Sequence, residues 1–444
     1  MTTIINIGEL VGIVPKGVLR KQGAEMSETG ILHDAWLRIA PDGTIEDFGT
    51  MPEAGNMSEA GAVCARSPIK HGEKGLRAHT APADTEKGLR AHTAPDGPDA
   101  VIDAQGGMVM PGFCDSHTHI VYAGSRDGEF LDKIEGLSYE EIAARGGGIL
   151  NSADLLNATS EDELYRQSME RVEEMMAAGT TAIEIKSGYG LCPEGELKML
   201  RVIRRIRESV PALVRATFLG AHAVGRGYTK EAYVREMIDL MPRAAELADF
   251  VDVFCDSGFF TQEDTARILE AGASCGLRPK IHANELGVSG GVQVGVAHGA
   301  LSVDHLEHTT DAEIEVLKGS GTMPTMLPGS SFFLGIPFGR AREFIEAGLG
   351  IALASDYNPG SSPMGDMRFV MALACIKMRL TPVQALNALT LNGAYAMGVS
   401  DLTGSITPGK RADLILTRPG WTLTKVPYTY QTPWIRTVFK KGRS

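Results

Sequence analysis

The sequence predicts an α/β fold: a (β/α)8 TIM-type barrel with a small β-sandwich domain that both chain ends form. Eight short apolar runs, separated by longer segments of helical period, occupy residues 105–402. Eight strand-then-helix units in one stretch of this length are typical of a closed parallel barrel. A doubly wound sheet is the alternative, and it is the weaker one because no GxGxxG turn follows any of the runs.

The apolar runs are the predicted barrel strands, because short runs bounded by turn residues mark buried parallel strands. In chain order they are GGMVMPGFCDSH, TTAIEIKSG, VRATFLGAH, DFVDVFCDSG, RPKIHANE, LSVDHLEH, TMPTMLPG and GIALASD. The predicted helices include 161–178, 195–209, 230–248, 262–275 and 339–348. Capping boxes predict two helix starts, one at Ser160 with Glu163 and one at Thr381 with Gln384.

The two chain ends predict a small β-rich domain of residues 1–104 and 403–444 beside a barrel of residues 105–402. AWLRIAPDGTIEDFG near the start and GSITPGKRADLILTRP near the end each combine a turn signal with a short apolar strand. Residues 53–100 contain EKGLRAHTAP twice and have little apolar periodicity. We expect them to be a flexible insertion in the small domain.

The composition is that of a globular protein and argues against several function classes. A net charge of −12 over 444 residues opposes binding to the phosphates of a nucleic acid. No apolar run has the length of a membrane span, and the N-terminus lacks the pattern of a signal peptide. The six cysteines include no CxxC pair. We therefore expect a cytoplasmic protein that acts on a small molecule.

Metal-binding side chains end several of the predicted strands. His117 and His119 alternate along the first strand, so both imidazoles face the same side. His282 lies at the end of the fifth strand and Asp356 at the end of the eighth. Because the active sites of such barrels lie at the carboxyl ends of the strands, these four residues predict a site for a divalent transition metal.

Two further residues near these strand ends could move protons. His305 ends the sixth strand, and Glu285 follows His282 by three residues. A metal that activates water needs such a partner, and Glu285 and Asp356 are both candidates for the base. In some barrels a carbamylated lysine of the fourth strand bridges two metals. That strand has no lysine here and Lys186 lies on the second, so we expect one metal.

The metal pattern resembles the amidohydrolase superfamily, with HxH on strand one, histidines on strands five and six, and aspartate on strand eight. Longer motifs are similar to those of the imidazolonepropionase family of histidine degradation: SHTHIVYAGSRDGEF, GLSYEEIAARGGGI, IEIKSGYGL, TFLGAHAV, KIHANEL and SDYNPGSSP. The resemblance covers the chain from about residue 100 to residue 416. It implies hydrolysis of 4-imidazolone-5-propanoate to N-formimidoyl-L-glutamate, with zinc or iron as the metal, by a homodimer.

The resemblance also implies a set of substrate-binding residues. They are Arg126, Tyr139, Tyr189, His222, Glu285, Asn358, Gly360 and Ser361. An arginine can bind a carboxylate through two parallel hydrogen bonds, so Arg126 is the expected anchor of the propanoate tail. In the expected reaction, hydroxide attacks the ring carbonyl and His305 stabilises the oxyanion or shuttles a proton. Glu285 or Asp356 then carries the water's proton to the leaving ring nitrogen.

Two other functions stay open at this point. A nucleobase deaminase has a similar single-metal ligand set, but it has no particular use for a carboxylate anchor such as Arg126. A non-enzymatic scaffold with the same barrel would be expected to have lost metal ligands, whereas the whole set is present here. Release of ammonia from nucleobases would identify the first alternative, and a lack of bound metal would identify the second.

Overall fold

The computed structural model describes residues 1–51, 100–136 and 147–444 of the chain. The expected insertion at 53–100 lies outside the described residues except for Ala100, and Tyr139 lies outside them as well. The prediction of a flexible insertion and the prediction of a role for Tyr139 therefore stay predictions.

The first five strands belong to a sheet built from the chain ends. They are β1 Thr2–Ile13, β2 Gly30–Ile39, β3 Ile45–Thr50, β4 Ala100–Asp103 and β5 Gly107–Pro111. The central strand β1 runs antiparallel to β2 and parallel to β4 and β5. A short 3-10 helix, Gly23–Ser27, lies between β1 and β2.

The next strands form a parallel barrel. They are β6 Phe113–Thr118, β7 Thr180–Lys186, β8 Leu213–Ala221, β9 Phe250–Cys255, β10 Arg278–Pro279, β11 Ile281–Ala283, β12 Ser302–His305, β13 Met323–Met326 and β14 Ala352–Leu353. Their order is β6-β7-β8-β9-β11-β12-β13-β14, and β10 pairs with β9 just before β11. A parallel bridge from Thr118 to Tyr357 closes the ring, so the predicted eight-stranded barrel is confirmed.

Two C-terminal strands, β15 Leu414–Pro419 and β16 Ile435–Phe439, complete the sheet of the chain ends. This seven-stranded sheet has the order β16-β15-β5-β1-β2-β3, with β4 beside β1. It curls on itself, because Thr44 just before β3 is bridged to Arg411 just before β15. Its own apolar core includes Ile4, Ile7, Leu10, Leu37, Leu414 and Phe439. Strands from both chain ends thus build one sheet with its own apolar core.

One predicted barrel strand proves to be two strands. The run GGMVMPGFCDSH divides at Gly112 into β5, which pairs with β1 and β15, and β6, which pairs with β7. A Cβ at Gly112 would lie 2.3 Å from Thr181 Oγ1, so only glycine lets the chain pass this close to β7. β5 thus lies in the sheet of the chain ends, although its residues fall inside the range expected for the barrel.

Helices follow the barrel strands, and the last helix of the chain instead lies between β15 and β16. They are α1 Asp127–Ile134, α2 Ile149–Ala158, α3 Glu161–Ala177, α4 Pro193–Ser209, α5 Lys230–Ala245, α6 Gln262–Ser274, α7 Gly291–Ala297, α8 Asp311–Leu317, α9 Pro328–Leu334, α10 Ala341–Glu346, α11 Met367–Ile376, α12 Pro382–Leu389, α13 Leu391–Ala396 and α14 Lys425–Tyr428. None of the helices in the described ranges is both long enough and apolar enough to span a membrane.

The predicted helix starts are found where the caps indicated them. Ser160 Oγ accepts a hydrogen bond from the Glu163 amide at 3.2 Å and begins α3. Thr381 and Gln384 form both bonds of the capping box at the start of α12. The predicted helix 230–248 ends three residues earlier, at Ala245. These caps fix where each helix leaves the barrel wall and so position the loops above it.

Candidate active site

The predicted metal ligands meet at the carboxyl end of the barrel. His117 lies in β6 and His119 directly after it, His282 lies in β11, and Asp356 follows β14. Their side chains are at most 3% exposed. Parallel strands end at the same edge of a barrel, and this common edge brings together residues that are far apart in sequence.

The donor atoms of these four residues converge. His119 Nε2 lies 3.2 Å from His117 Nε2 and 3.4 Å from His282 Nε2. Asp356 Oδ1 lies 3.5 Å from His117 Nε2 and 3.6 Å from His119 Nε2. Burial lowers the pKa of His117 and of His119 well below the usual histidine range, so both rings are neutral. Neutral imidazoles whose Nε2 atoms converge on one point form poor hydrogen bonds with each other, but they can all bind one divalent cation. This donor set therefore fits a metal.

Two carboxylates stand behind the imidazoles. Asp304 Oδ2 accepts a hydrogen bond from His117 Nδ1 at 2.7 Å. Asp252 Oδ2 lies 3.0 Å from His282 Nδ1, close enough for an ion pair but without hydrogen-bond alignment. A carboxylate at Nδ1 fixes the tautomer that leaves a lone pair on Nε2. Sequence reasoning missed both aspartates, although Asp252 is the one charged residue of an otherwise apolar strand and Asp304 directly precedes His305.

His305 lies between two carboxylates. Its Nε2 is 3.5 Å from Glu285 Oε2, and its Nδ1 is 3.4 Å from Glu307 Oε2. Burial opposes a charge on His305, but Glu285 and Glu307 outweigh it and raise its pKa well above the usual range. Burial raises the pKa of Glu285 to about 7, against the opposing effect of His305. The two predicted proton-moving residues are therefore in contact, and Glu307 is a partner that sequence reasoning missed.

Three residues at the site have a left-handed backbone. His305 has φ +88°, Asn284 has φ +61° and Asp356 has φ +55°. Non-glycine residues seldom adopt this region, and such strain is concentrated at functional sites. Each lies at or just after the end of a barrel strand, where the chain leaves the barrel wall.

A cavity of about 460 Å³ opens above the converging donors. All predicted site residues within the described ranges line it except His117, which lies beneath. The lining comprises His119, Arg126, Tyr189, His222, His282, Glu285, His305, Asp356, Asn358, Gly360 and Ser361, with Ile149, Phe254, Phe259, Leu286 and Leu334 as its apolar part. This size suits a small organic molecule.

Arg126 supplies a cation to the wall of the cavity. Its Nη2 donates to Glu129 Oε2 at 2.5 Å, and Glu129 Oε1 accepts a hydrogen bond from the Gly148 amide at 2.9 Å. A Cβ at Gly360 would lie 2.3 Å from Arg126 Nη1. Gly360 therefore leaves the space that the guanidinium fills, and Glu129 sets its direction.

Tyr189 and His222 form another part of the wall. His222 stacks on His119 with ring centroids 5.2 Å apart and donates from Nδ1 to the Gly188 carbonyl at 3.0 Å. Burial lowers the pKa of His222 to about 3, so the ring is neutral. Burial raises the pKa of Tyr189, so its phenol keeps the proton and can donate it in a hydrogen bond.

The side chain of Asn358 is engaged within its own loop. Its Oδ1 accepts from the amides of Gly360 and Ser361, both at 2.8 Å. Its Nδ2 donates to the Asp356 carbonyl and to Ser361 Oγ, both at 2.7 Å. Asn358 therefore shapes the loop that carries Gly360, and Ser361 Oγ in turn donates to Asp356 Oδ2 at 3.2 Å.

Comparison with known families gives consistent matches. One amidohydrolase family model matches residues 239–444 and another matches residues 100–145. An imidazolonepropionase of Flavobacterium johnsoniae is 48% identical over 448 residues, which cover 100% of this chain and 99% of the relative. An imidazolonepropionase of Geobacillus kaustophilus is 42% identical over 349 residues, which cover 77% of this chain and 82% of the relative.

Two solved structures with a similar fold are deaminases. A 5-methylcytosine deaminase from Klebsiella pneumoniae has a TM-score of 0.69 at 15% identity, over 99% of this chain and 96% of its own. E. coli guanine deaminase has a TM-score of 0.65 at 16% identity, over 100% of this chain and 99% of its own. At such low identity these structures establish the fold alone, and the family follows from the full-length relatives. This chain belongs to the imidazolonepropionase family of the amidohydrolases.

Proposed function

We propose that this chain hydrolyses the ring amide of 4-imidazolone-5-propanoate to N-formimidoyl-L-glutamate, the imidazolonepropionase step of histidine degradation. The observation that carries this proposal is a single cavity with Arg126 on one wall and the converging imidazoles at its base. The substrate has a matching carboxylate tail and ring carbonyl. High identity to named imidazolonepropionases over the whole chain supports the same substrate.

His117, His119, His282 and Asp356 would hold one divalent transition metal, zinc or iron, since both suit imidazole and carboxylate ligands. When bound, such a metal polarises a carbonyl and lowers the pKa of water. A single metal is supported by the absence of lysine from β9, FVDVFC, where a bridging carbamate would be needed.

Proton transfer is assigned to the pair of Glu285 and His305. A positively charged His305 at the cavity edge can donate a hydrogen bond to the oxyanion that develops on the ring carbonyl. Glu285, with a pKa of about 7, can take the proton of the attacking water and give it to the leaving ring nitrogen. Asp356 is less suited to this role, because its Oδ2 accepts from Ser361 and its Oδ1 faces the imidazoles.

Substrate orientation is assigned to the cavity wall. Arg126 would bind the propanoate through two parallel hydrogen bonds. Tyr189 and His222 would hydrogen-bond the ring, and the loop of Asn358, Gly360 and Ser361 would bound the tail. Fixing both ends of the substrate places the carbonyl carbon where water can attack. This positioning accelerates the reaction by proximity. The role of Tyr139 rests on family resemblance.

The test is purified protein assayed for N-formimidoyl-L-glutamate before and after removal of metal by a chelator. We expect product formation that is lost on chelation and restored by added zinc or iron(II). Cytosine and guanine serve as control substrates from which no ammonia is released. Ammonia release from either base, with no turnover of the imidazolone, would contradict the proposal in favour of a deaminase.

We further propose that the protein works in the cytoplasm as a homodimer. The described cysteines, Cys114, Cys192, Cys255, Cys275 and Cys375, are all free, as is usual in a reducing compartment. The dimer is supported by family resemblance. Light scattering on the purified protein should give twice the mass of one chain, and the mass of a single chain would contradict the dimer.

A further inference from the structure

A fully buried lysine lies beneath the proposed metal site. Lys186 ends β7, and its side chain is 0% exposed. Its Nζ donates to Glu184 Oε1 and to Asp252 Oδ2, both at 2.8 Å, and lies 3.4 Å from Asp304 Oδ2. A buried ammonium is stable only when it is paired, and this one is surrounded by carboxylates.

The two aspartates that contact Lys186 are the same two that stand behind the imidazoles. Asp304 Oδ2 accepts from His117 Nδ1 at 2.7 Å, and Asp252 Oδ2 lies 3.0 Å from His282 Nδ1. In each case a single oxygen faces both the lysine and the imidazole. The remaining oxygens are also engaged, because Asp304 Oδ1 accepts from Ser302 Oγ at 2.5 Å and Asp252 Oδ1 from the His282 amide at 3.1 Å.

We propose that Lys186 is a positioning residue that holds Asp252 and Asp304 in place and, through them, orients the imidazoles of His282 and His117 toward the metal. This inference rests on the proposed metal site. Without the ammonium, two buried carboxylates would lack their shared counter-charge and would move apart or take up protons. Either change would release the Nδ1 contacts that keep the Nε2 atoms of both rings converging.

Lys280 provides a matched control. It is equally buried and donates to the same Glu184, but its other partners are the backbone carbonyls of Ser116 at 3.3 Å and Ala396 at 3.1 Å. Lys280 forms no hydrogen bond or ion pair with Asp252 or Asp304, the two aspartates that face a proposed ligand. Replacing Lys280 therefore removes a buried ammonium from the same cluster and leaves both aspartate–imidazole contacts in place.

The experiment compares Lys186→Met with Lys280→Met in the purified full-length protein. Zinc affinity is measured by competition with a chelator, and the Tm is measured on the metal-free form. We expect Lys186→Met to weaken zinc binding about 10–100-fold relative to Lys280→Met. Equal zinc affinities in the two variants at similar metal-free Tm would overturn the proposal.

A second pair of variants covers the case in which Lys186→Met does not fold. Asp252→Asn and Asp304→Asn each alter one of the two contacts, and each should weaken zinc binding about tenfold or more. Unchanged affinity in both would also overturn the inference. Wild-type protein that binds neither zinc nor iron would contradict the proposed metal site itself, and this inference with it.

Discussion

The cavity has two sides whose histidines are equally buried but differ in charge. Burial lowers the pKa of His117 and His119, which face each other and are neutral. His305 is buried to the same degree, but Glu285 and Glu307 raise its pKa well above the usual range. One side can therefore offer lone pairs to a cation, and the other can offer a proton to an anion.

Burial alone does not explain this difference, because His117 also contacts a carboxylate. Asp304 lies 2.7 Å from its Nδ1, but the ammonium of Lys186 lies 3.4 Å from the same oxygen and offsets its charge. Apart from His305 itself, no cation forms an ion pair with Glu285 or Glu307 among the described residues. The protonation of a buried histidine thus depends on whether its carboxylate is already neutralised.

The largest effect is expected from His119→Ala, on the neutral side. His119 Nε2 is the atom that contacts both His117 and His282, so the substitution removes the central nitrogen of the proposed ligand set. We expect loss of bound metal and a fall in activity well beyond the about 10–100-fold that an outer partner costs. His298→Ala, at the end of α7 and outside the cavity lining, is the control and should keep both.

The next effect concerns the charged side. Glu285→Gln and His305→Gln should each lower kcat by about 10²–10⁴-fold while metal content stays unchanged. In the wild type, kcat/KM should rise as the pH rises through about 7, because Glu285 must lose its proton before it can accept another. Glu285→Gln should abolish that rise, and near-normal turnover in both variants would remove the proton-transfer roles assigned here.

A smaller effect is expected from Glu307→Gln. Removing a carboxylate that favours the imidazolium must lower the pKa of His305, so its proton is lost at lower pH. Histidine-selective NMR of the metal-free protein measures that pKa directly. In the active enzyme the alkaline limb of kcat/KM should move to lower pH. An unchanged pKa would mean that Glu285 alone makes the difference between the two sides.

The smallest effect is expected at Arg126. In Gly360→Ala the new Cβ would lie 2.3 Å from Arg126 Nη1, so the guanidinium must shift. We expect KM to rise about tenfold with little change in kcat, as for the weakening of one charge-assisted hydrogen bond. Gly128→Ala, in α1 and with open space around its Cβ, is the control. Equal KM values in the two variants would contradict a role for Gly360 in placing the Arg126 guanidinium.

The barrel and its strand-end residues could be predicted because the local sequence is enough to identify each strand. A run such as DFVDVFCDSG is bounded by turn residues, and the ionisable residue that ends a strand is visible without its partners. The sequence did not reveal the break at Gly112, since the contact with Thr181 that requires glycine lies on a neighbouring strand.

The partners behind the imidazoles could not be predicted for a related reason. Asp252 is visible as a charge within an apolar strand and Asp304 as a charge beside His305. Which histidine each aspartate contacts depends on how β9, β11, β12 and β6 are arranged around the ring. The position of Lys186 on the second strand excludes it as a carbamate bridge but does not reveal its partners. Its contacts with both aspartates depend on barrel register, which a single sequence does not contain.

The seam of the barrel has a consequence for how the protein matures. The Asp356 amide donates to the His117 carbonyl at 3.0 Å, and the His119 amide donates to the Tyr357 carbonyl at 2.8 Å. Residues from the first and last strands thus supply three of the four donor side chains, side by side. If these residues hold the proposed ion, the set of ligands is complete only after the final strand docks, so the ion would bind late in folding. Once bound, the ion would link residues of the first and last barrel strands and so stabilise the closed barrel.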